Sequence, residues 1–283
     1  MKLFSTRSTR HLASHIAIEP GACTIKQFSD GELFVRIDED VQGQTVWVLA
    51  GTQPPAENIF ELFFLCDALV RAGAQINVCI TYLAYARQMV AAPGESHTTQ
   101  VIASFIKNFP MRNVYIVHPH SDSLHEFLTF TAVRDMNFFY KQAEAYDAIA
   151  APDKGAVTLA KEIATSCSKE LILLTKMRPD KEKVEIVSVK GKAKGKKVLL
   201  VDDIISTART ITECAHTLIT LGATSIAAAV THGIFSPGSH ELLKQSPLER
   251  VFVTNTIAQY PHKKIIVVDI SQFIQKIMQT SHT

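Results

Sequence analysis

Short aliphatic runs alternate along the chain with longer segments in which apolar residues recur every three or four positions. The runs predict strands that are buried on both faces, and the periodic segments predict amphipathic helices. Strands are expected at 45–50, 76–82, 114–118, 147–151, 170–174, 184–189, 197–201, 225–231, 250–254 and 264–268. Helices are expected near 57–73, 95–108, 155–166, 209–222 and 270–279. This alternation predicts an α/β protein whose mainly parallel sheets are flanked by helices.

A faint internal repeat indicates two domains of similar plan. Residues 45–81 and 197–231 share the order of an aliphatic strand, a loop, a helix ending in Gly-Ala, and a second aliphatic strand ending in Thr. The boundary is expected between residues 138 and 145, before the next strand begins. We therefore expect an N-terminal domain over residues 1–140 and a C-terminal domain over residues 141–283.

The composition changes this picture little, but it excludes several classes of protein. The chain has 283 residues, 47% of them hydrophobic, which is enough for one large domain or two ordinary ones. A formal net charge of +2 gives no reason to expect nucleic acid as a partner. The five cysteines are scattered, which favours a reducing compartment and argues against a zinc site. No apolar run is long enough to cross a membrane, so we expect a cytoplasmic protein.

The segment VLLVDDIISTART (198–210) joins a buried strand to a helix and carries the clearest chemistry. Backbone N–H groups and hydroxyl donors at a helix N-terminus suit a phosphate, whereas carboxylates suit sugar hydroxyls or a metal-bound water. Thr210 and Glu213 also have the spacing of a capping box. Taken alone, the segment is equally consistent with a solvated turn that carries two surface aspartates. The candidate side chains are Asp202, Asp203, Ser206, Thr207 and Thr210.

The segment FSDGE (28–32) has the composition of a turn between two extended segments, with Gly31 at its tightest point. Phe28 offers an aromatic face for a base, and Asp30 and Glu32 offer acceptors for an exocyclic amine. In isolation, a solvated hairpin tip explains the same residues.

Cationic and metal-binding candidates follow four other expected strands. Arg87 and Gln88 follow the strand at 76–82, and the planar guanidinium group of Arg87 suits a phosphate or stacking on a base. Lys176 and Arg178 follow the strand at 170–174; in isolation, a Lys-x-Arg segment in a polar loop is a solvated surface. His118 and His120 have a spacing that could bind a transition metal, although a surface or core histidine pair is more common. Asp153, in Pro-Asp-Lys-Gly, could bind Mg²⁺ or cap a helix, and both roles can hold at once.

In this order, these motifs resemble those of the ribose-phosphate pyrophosphokinases (PRPP synthetases), nearest the shorter archaeal-type members. HGIFS (232–236) and TNTI (254–257) extend the resemblance towards the C-terminus. The resemblance implies two tandem type I phosphoribosyltransferase-like domains. It also implies a pyrophosphoryl transfer, in which O1 of ribose 5-phosphate attacks the β-phosphorus of Mg-ATP. The products are 5-phosphoribosyl 1-diphosphate (PRPP), which feeds nucleotide biosynthesis, and AMP.

The resemblance further implies a role for each candidate residue. Lys176 and Arg178 would be catalytic, and His120 and Asp153 would help to place Mg²⁺. The hairpin at 28–32 would serve the ATP site of a neighbouring subunit, in a homodimer or higher homo-oligomer. The residues expected to bind ATP are Phe28, Asp30, Gly31, Glu32, Arg87 and Gln88. The residues expected to bind ribose 5-phosphate are Arg178, Asp202, Asp203, Ser206, Thr207, Ala208, Arg209 and Thr210.

Three residues depart from the family pattern. Met89 replaces an acid, His118 replaces an acid, and Ala208 stands where many synthetases have a glycine. A non-catalytic regulatory homologue would explain these departures, but it should also lack the Lys-x-Arg or Pro-Asp motif, and both are present. A type I phosphoribosyltransferase is the other alternative, although it needs only one such domain and no adenine motifs.

Overall fold

The computed structural model describes residues 1–177 and 185–281. Its strands are β1 (Lys2–Ser5), β2 (Glu19–Pro20), β3 (Cys23–Gln27), β4 (Leu33–Ile37), β5 (Thr45–Gly51), β6 (Gln75–Tyr82), β7 (Met111–Val117), β8 (Thr131–Val133), β9 (Ala148–Ala151), β10 (Glu170–Met177), β11 (Glu185–Lys190), β12 (Lys197–Ile205), β13 (Ser225–Gly233), β14 (Arg250–Thr254) and β15 (Ile265–Val268). Its helices are α1 (Arg10–Ala13), α2 (Glu57–Arg71), α3 (Thr98–Lys107), α4 (Met136–Ala143), α5 (Val157–Ser166), α6 (Arg209–Thr220), α7 (Ser239–Gln245) and α8 (Ser271–Thr280). Every predicted strand and helix is present.

The chain forms two compact units, and the first contains a six-stranded parallel sheet in the order β2-β1-β5-β6-β7-β8. Its central strands are buried along almost their whole length, as their continuous aliphatic sequences predict. Strands β3 and β4 form a separate antiparallel hairpin. The buried face of α2, which includes Leu62, Leu65 and Leu69, packs in one core cluster with Val48 and Val78 of the sheet.

The second unit begins at Asp135 and contains a seven-stranded sheet in the order β11-β10-β9-β12-β13-β14-β15. Only the pair formed by β10 and β11 is antiparallel in this sheet. One face of the sheet packs with α6 and the other with α4 and α5. The predicted α/β class is therefore confirmed, and the carboxyl ends of four neighbouring parallel strands, β10, β9, β12 and β13, lie at one edge.

The division of the chain differs from the expected one. The structure changes unit between Arg134 and Asp135, ahead of the expected boundary at 140, and α4 follows directly. Helix α8 belongs to the first unit, because Ile274 and Met278 are fully buried against the core cluster of Trp47 and Leu49. The expected limits 1–140 and 141–283 therefore separate the two sheets, but the C-terminal helix packs with the first unit.

Two expectations from composition concern the cysteines and the membrane. Within the described residues, no helix is long and apolar enough to cross a membrane. All five cysteines are free thiols. Burial raises the pKa of Cys66, Cys79 and Cys214 to about 12. These three thiols therefore stay protonated at neutral pH and act as apolar side chains.

Candidate active site

The carboxyl edge of the second sheet brings together four of the charged residues that the sequence singles out. Lys176 lies near the end of β10, Asp153 follows β9, and Asp202 and Asp203 lie within the last part of β12. The strand β12 runs to Ile205, beyond its expected end, so the two acids stand on the strand and not after it. Parallel strands place their ligand-binding groups at this edge of an open α/β sheet.

An ion pair joins two of these residues, since Lys176 Nζ donates to Asp153 Oδ2. The other carboxylate oxygen, Oδ1, accepts from the backbone N–H groups of Gly155 (2.8 Å) and Ala156 (3.3 Å). A Cβ atom at residue 155 would lie 3.2 Å from this oxygen, so glycine allows the carboxylate its close approach. Asp153 therefore caps the turn ahead of α5 and meets a cation at the same time.

Asp202 lies in a strongly acidic environment. Its pKa is raised well above the ordinary value, because the carboxyl group is withdrawn from solvent and stands near Asp203 and Asp153. The backbone N–H of Asp203 donates to Asp202 Oδ1 at 2.9 Å. A cluster of acceptors of this kind is suited to sugar hydroxyls or to a cation, both of which would relieve the repulsion between carboxylates.

The loop at 206–210 leads from β12 into α6. The predicted capping box is wrong: α6 begins at Arg209, and Ala208, at the N-cap position, makes no side-chain capping hydrogen bond. The N–H of Arg209 instead donates to Thr207 Oγ1 at 3.5 Å. Thr210 and Glu213 cannot cap it, because the helix has already begun before Thr210. A helix N-terminus leaves its first backbone N–H groups without intrahelical acceptors, an arrangement that suits a phosphate. Thr207 is exposed at the loop, and Ser206 and Thr210 are partly buried.

Ala208 has a φ of 62°, in the left-handed region that favours glycine. Glycine, which the family pattern predicts at this position, adopts such a conformation without strain. Ala208→Gly should raise the free energy of unfolding by about 0.5–1 kcal/mol, since the strain relieved exceeds the entropy gained by the unfolded chain. Urea denaturation checks this value. Ala145→Gly, at an exposed position without positive φ, should lower stability instead; an equal change in both variants would contradict the assignment of strain.

In the first unit, the segment 28–32 forms the predicted turn, between β3 and β4. Gly31 has a φ of 96°, and its N–H donates to Phe28 O at 3.0 Å. The N–H of Glu32 donates to Asp30 Oδ1 at 3.1 Å, so the acidic side chain also fixes the turn. Phe28 is 46% exposed, and Lys26 Nζ lies 5.2 Å from its ring centroid. The hairpin thus presents an aromatic face on a well-ordered turn.

Arg87 and Gln88 follow β6, also in the first unit, and Arg87 is exposed. Gln88 lies in a polar network in which its Nε2 donates to Glu95 Oε2 at 3.2 Å. The Thr99 hydroxyl donates to the Gln88 carbonyl oxygen at 2.7 Å. Met89, which departs from the family pattern, is partly buried against the first core cluster. An apolar side chain therefore suits this position in the fold.

The two candidate histidines have different environments. His118 is 5% exposed, and its backbone N–H donates to Val133 O at 2.8 Å with φ at 41°. His120 is exposed. Within the described residues, no group of three or more His, Cys, Asp or Glu side chains could hold a metal ion. His118 therefore fits the alternative of a core histidine, and His120 remains the candidate for the site.

Comparison with known proteins identifies the family. Residues 1–109 match a model described as the N-terminal domain of ribose phosphate pyrophosphokinase, and residues 141–283 match the phosphoribosyl synthetase-associated domain. Ribose-phosphate pyrophosphokinase 1 of Listeria monocytogenes is 33% identical over 280 residues, covering 94% of this chain and 88% of that protein. The chain belongs to the ribose-phosphate pyrophosphokinase family. The ribose-phosphate pyrophosphokinase of Bacillus caldolyticus is 33% identical over 278 residues, with the same coverage.

A solved structure of a ribose-phosphate pyrophosphokinase relative supports the fold. The crystal structure of phosphoribosylpyrophosphate synthetase from Mycobacterium smegmatis superposes with a TM-score of 0.87 at 27% identity. It matches 99% of this chain, and the match covers 98% of that protein's chain. The resemblance inferred from short motifs is thereby confirmed over the length of the molecule.

The structure places the site residues expected from this pyrophosphokinase family in two groups, one in each unit. The first unit holds the candidates for the nucleotide and His120. The second holds Asp153, Lys176 and the segment from Asp202 to Thr210, which β9, β10 and β12 bring together at one edge. Arg178 lies outside the described residues. Sequence reasoning did not assign Ser236 to the site, although its hydroxyl lies 2.8 Å from that of Ser206.

Proposed function

We propose that this protein is a ribose-phosphate diphosphokinase, which transfers the pyrophosphoryl group of ATP to O1 of ribose 5-phosphate. Family membership gives the reaction, and one observation in the structure supports it for this chain. Lys176 is paired with Asp153, at the same sheet edge as the acidic pair of β12 and the N-terminus of α6. This edge therefore offers a cation, carboxylates that can accept hydrogen bonds from sugar hydroxyls, and groups that can donate hydrogen bonds to a phosphate. The reaction requires all three.

Ribose 5-phosphate is proposed to bind at the carboxyl edge of the second sheet. The backbone N–H groups of residues 206–210 and the hydroxyls of Ser206, Thr207 and Thr210 would hold the 5-phosphate. Asp202 and Asp203 would accept hydrogen bonds from the ribose hydroxyls. Arg209 and Ala208 would contribute through the backbone of the loop. The ring would then lie with its anomeric oxygen towards the Lys176 side of the edge.

Magnesium is the proposed metal, and Asp153 in the second unit and His120 in the first are each proposed to help to place it. Magnesium prefers oxygen ligands and commonly uses one or two carboxylates together with substrate phosphates. The carboxylate-rich edge fits this preference, because Asp153 and Asp203 contribute to the raised pKa of Asp202 and a cation would relieve that repulsion. When bound, the ion would neutralise charge on the phosphate chain of ATP.

Catalysis by this chain is proposed to rest on positioning and on neutralisation of charge. Lys176 would stabilise the charge that develops on the transferring group, and Arg178 would assist. The pairing with Asp153 holds the Lys176 ammonium group at the edge before substrate binds. Phe28, Asp30, Gly31 and Glu32 would bind adenine, and Arg87 and Gln88 would bind the nucleotide.

The reaction is tested by incubating the protein with Mg-ATP and ribose 5-phosphate and following phosphorus NMR. The expected result is equal formation of AMP and PRPP. No AMP above the rate of ATP hydrolysis would favour a non-catalytic regulatory homologue. Consumption of added PRPP together with a nucleobase would favour a type I phosphoribosyltransferase.

The free thiols of the chain also fit a cytoplasmic location.

The proposed homo-oligomer is tested by mixing two inactive variants. Lys176→Ala and Asp30→Ala subunits should each be inactive, but their mixture should regain activity if the hairpin of one subunit serves the nucleotide of its neighbour. Hybrid assemblies then contain some sites that carry neither change. Mass spectrometry of the intact assemblies provides the control for subunit exchange. A mixture that exchanges subunits and stays inactive would show that the nucleotide site is built within one chain.

A further inference from the structure

The chain that follows β13 forms hydrogen bonds with the start of the proposed phosphate loop. The N–H of Ile234 donates to Ile205 O at 2.8 Å, and the N–H of Ser236 donates to Ser206 O at 3.0 Å. The pairing between β12 and β13 therefore continues beyond both strands. At its end, the Oγ atoms of Ser206 and Ser236 lie 2.8 Å apart, so one hydroxyl donates to the other.

Ser236 is held in place by contacts that do not involve the phosphate loop. Phe235, the preceding residue, has a φ of 46°, and its ring packs against His240 with centroids 5.4 Å apart. A Cβ atom at Gly233 would lie 2.6 Å from the Phe235 ring, so the glycine lets the ring fold back over the strand end. Gln259 Nε2 donates to Gly233 O at 2.7 Å. The position of the segment 233–236 is thus set by contacts other than its hydrogen bonds with Ser206.

A phosphate bound to Ser206 would decide which of the two serine hydroxyls donates to the other. Each serine hydroxyl has a single proton to donate. A phosphate dianion only accepts hydrogen bonds, so Ser206 must give its proton to the phosphate when it contacts that group. Its oxygen then accepts from Ser236.

We propose that Ser236 is a positioning residue for ribose 5-phosphate, which holds Ser206 as a hydrogen-bond donor to the 5-phosphate. This inference rests on the proposed function, because that proposal assigns Ser206 to the phosphate site. Ser236 itself does not contact the substrate. Its effect should therefore be on the binding of ribose 5-phosphate and not on the chemical step or on ATP.

Ser236→Ala is expected to raise the KM for ribose 5-phosphate about fivefold to tenfold, with kcat and the KM for ATP changed less than about twofold. Ser239→Ala is the matched control, since the Ser239 hydroxyl is buried without a hydrogen-bond partner in the described structure. It should leave the KM unchanged. Ser236→Thr keeps the hydroxyl and should restore the KM. Ser236→Cys keeps the shape but donates weakly, and should behave as alanine does.

A double-mutant cycle separates this inference from the proposed function. Ser206→Ala should also raise the KM for ribose 5-phosphate, and the variant with both serines replaced should be no worse than Ser206→Ala alone. If Ser206→Ala raises the KM but Ser236→Ala does not, or if the two effects multiply, the role of Ser236 is overturned while the phosphate site stands. If Ser206→Ala leaves the KM unchanged, the phosphate site itself is misassigned and the inference falls with it.

Discussion

Replacing Lys176 by methionine is expected to lower kcat by about a thousandfold, the loss typical when a preorganised stabilising group is removed from an active site. Methionine keeps the length of the side chain but lacks the ammonium group that pairs with Asp153. The charge that develops on the transferring group would then be stabilised by fewer cations. The KM values should change much less, because the proposed role of Lys176 lies in the transition state.

The matched control for this prediction is Lys161→Met. Lys161 lies on α5 and is exposed to solvent, so its replacement should leave both kcat and stability unchanged. AMP formation at saturating Mg-ATP and ribose 5-phosphate measures kcat, and circular dichroism checks the fold. A Lys176→Met protein that is folded and retains more than about a tenth of the activity would remove Lys176 from the catalytic role.

The aliphatic strands could be predicted because each is long and buried on both faces. The sequences of β5 and β12 contain four or more consecutive apolar residues, and few other structures can bury such a run. Shorter elements give no such pattern. Strand β2 has two residues, β8 has three, and α7 has seven, so their existence depends on neighbours in the fold and not on their own sequence.

The position of α8 shows why packing could not be inferred from chain order. Its apolar residues at Ile274 and Met278 predict a buried face but do not specify which core buries it. The expected boundary near residue 140 assigned the helix to the second domain, whereas its contacts belong to the first unit. The apolar pattern of a helix predicts that one face is buried, but only the tertiary structure shows against which core it packs.

The sequence singles out the charged residues that the structure brings to one sheet edge, but it does not predict the features that depend on backbone geometry. Asp153, Lys176 and Asp202 carry charges that few surface loops combine at successive strand ends, so their sequence is informative. The capping box at Thr210 has the right residue spacing but the wrong position, because Ala208, with its left-handed φ, is the N-cap residue and the helix begins two residues earlier. Ser236 lies 30 residues from Ser206, and no local pattern joins them.

The carboxylates at the edge of the second sheet predict a conflict between stability and activity. Asp202→Asn should lower kcat/KM for ribose 5-phosphate about a hundredfold. The amide is uncharged and has one acceptor oxygen, whereas the carboxylate has two. The same change should raise the free energy of unfolding of the protein without substrate at neutral pH. An amide does not ionise, so it avoids the cost of charging a group that is withdrawn from solvent and stands near Asp203 and Asp153.

The sign of the pH dependence tests the physical cause. Because the folded-state pKa of Asp202 is raised, the folded protein binds more protons than the unfolded chain between the ordinary carboxyl pKa of about 4 and the raised value. The free energy of unfolding should therefore fall as pH rises through that interval, and stay lower above it. Asp202→Asn should remove this fall, whereas Glu162→Gln, on the exposed side of α5, should keep it. Urea denaturation from pH 4.5 to pH 8 without Mg²⁺ measures the free energy of unfolding of each protein. If this free energy varies with pH in the same way for Asp202→Asn and for the unaltered protein, the pKa of Asp202 is not raised by its surroundings.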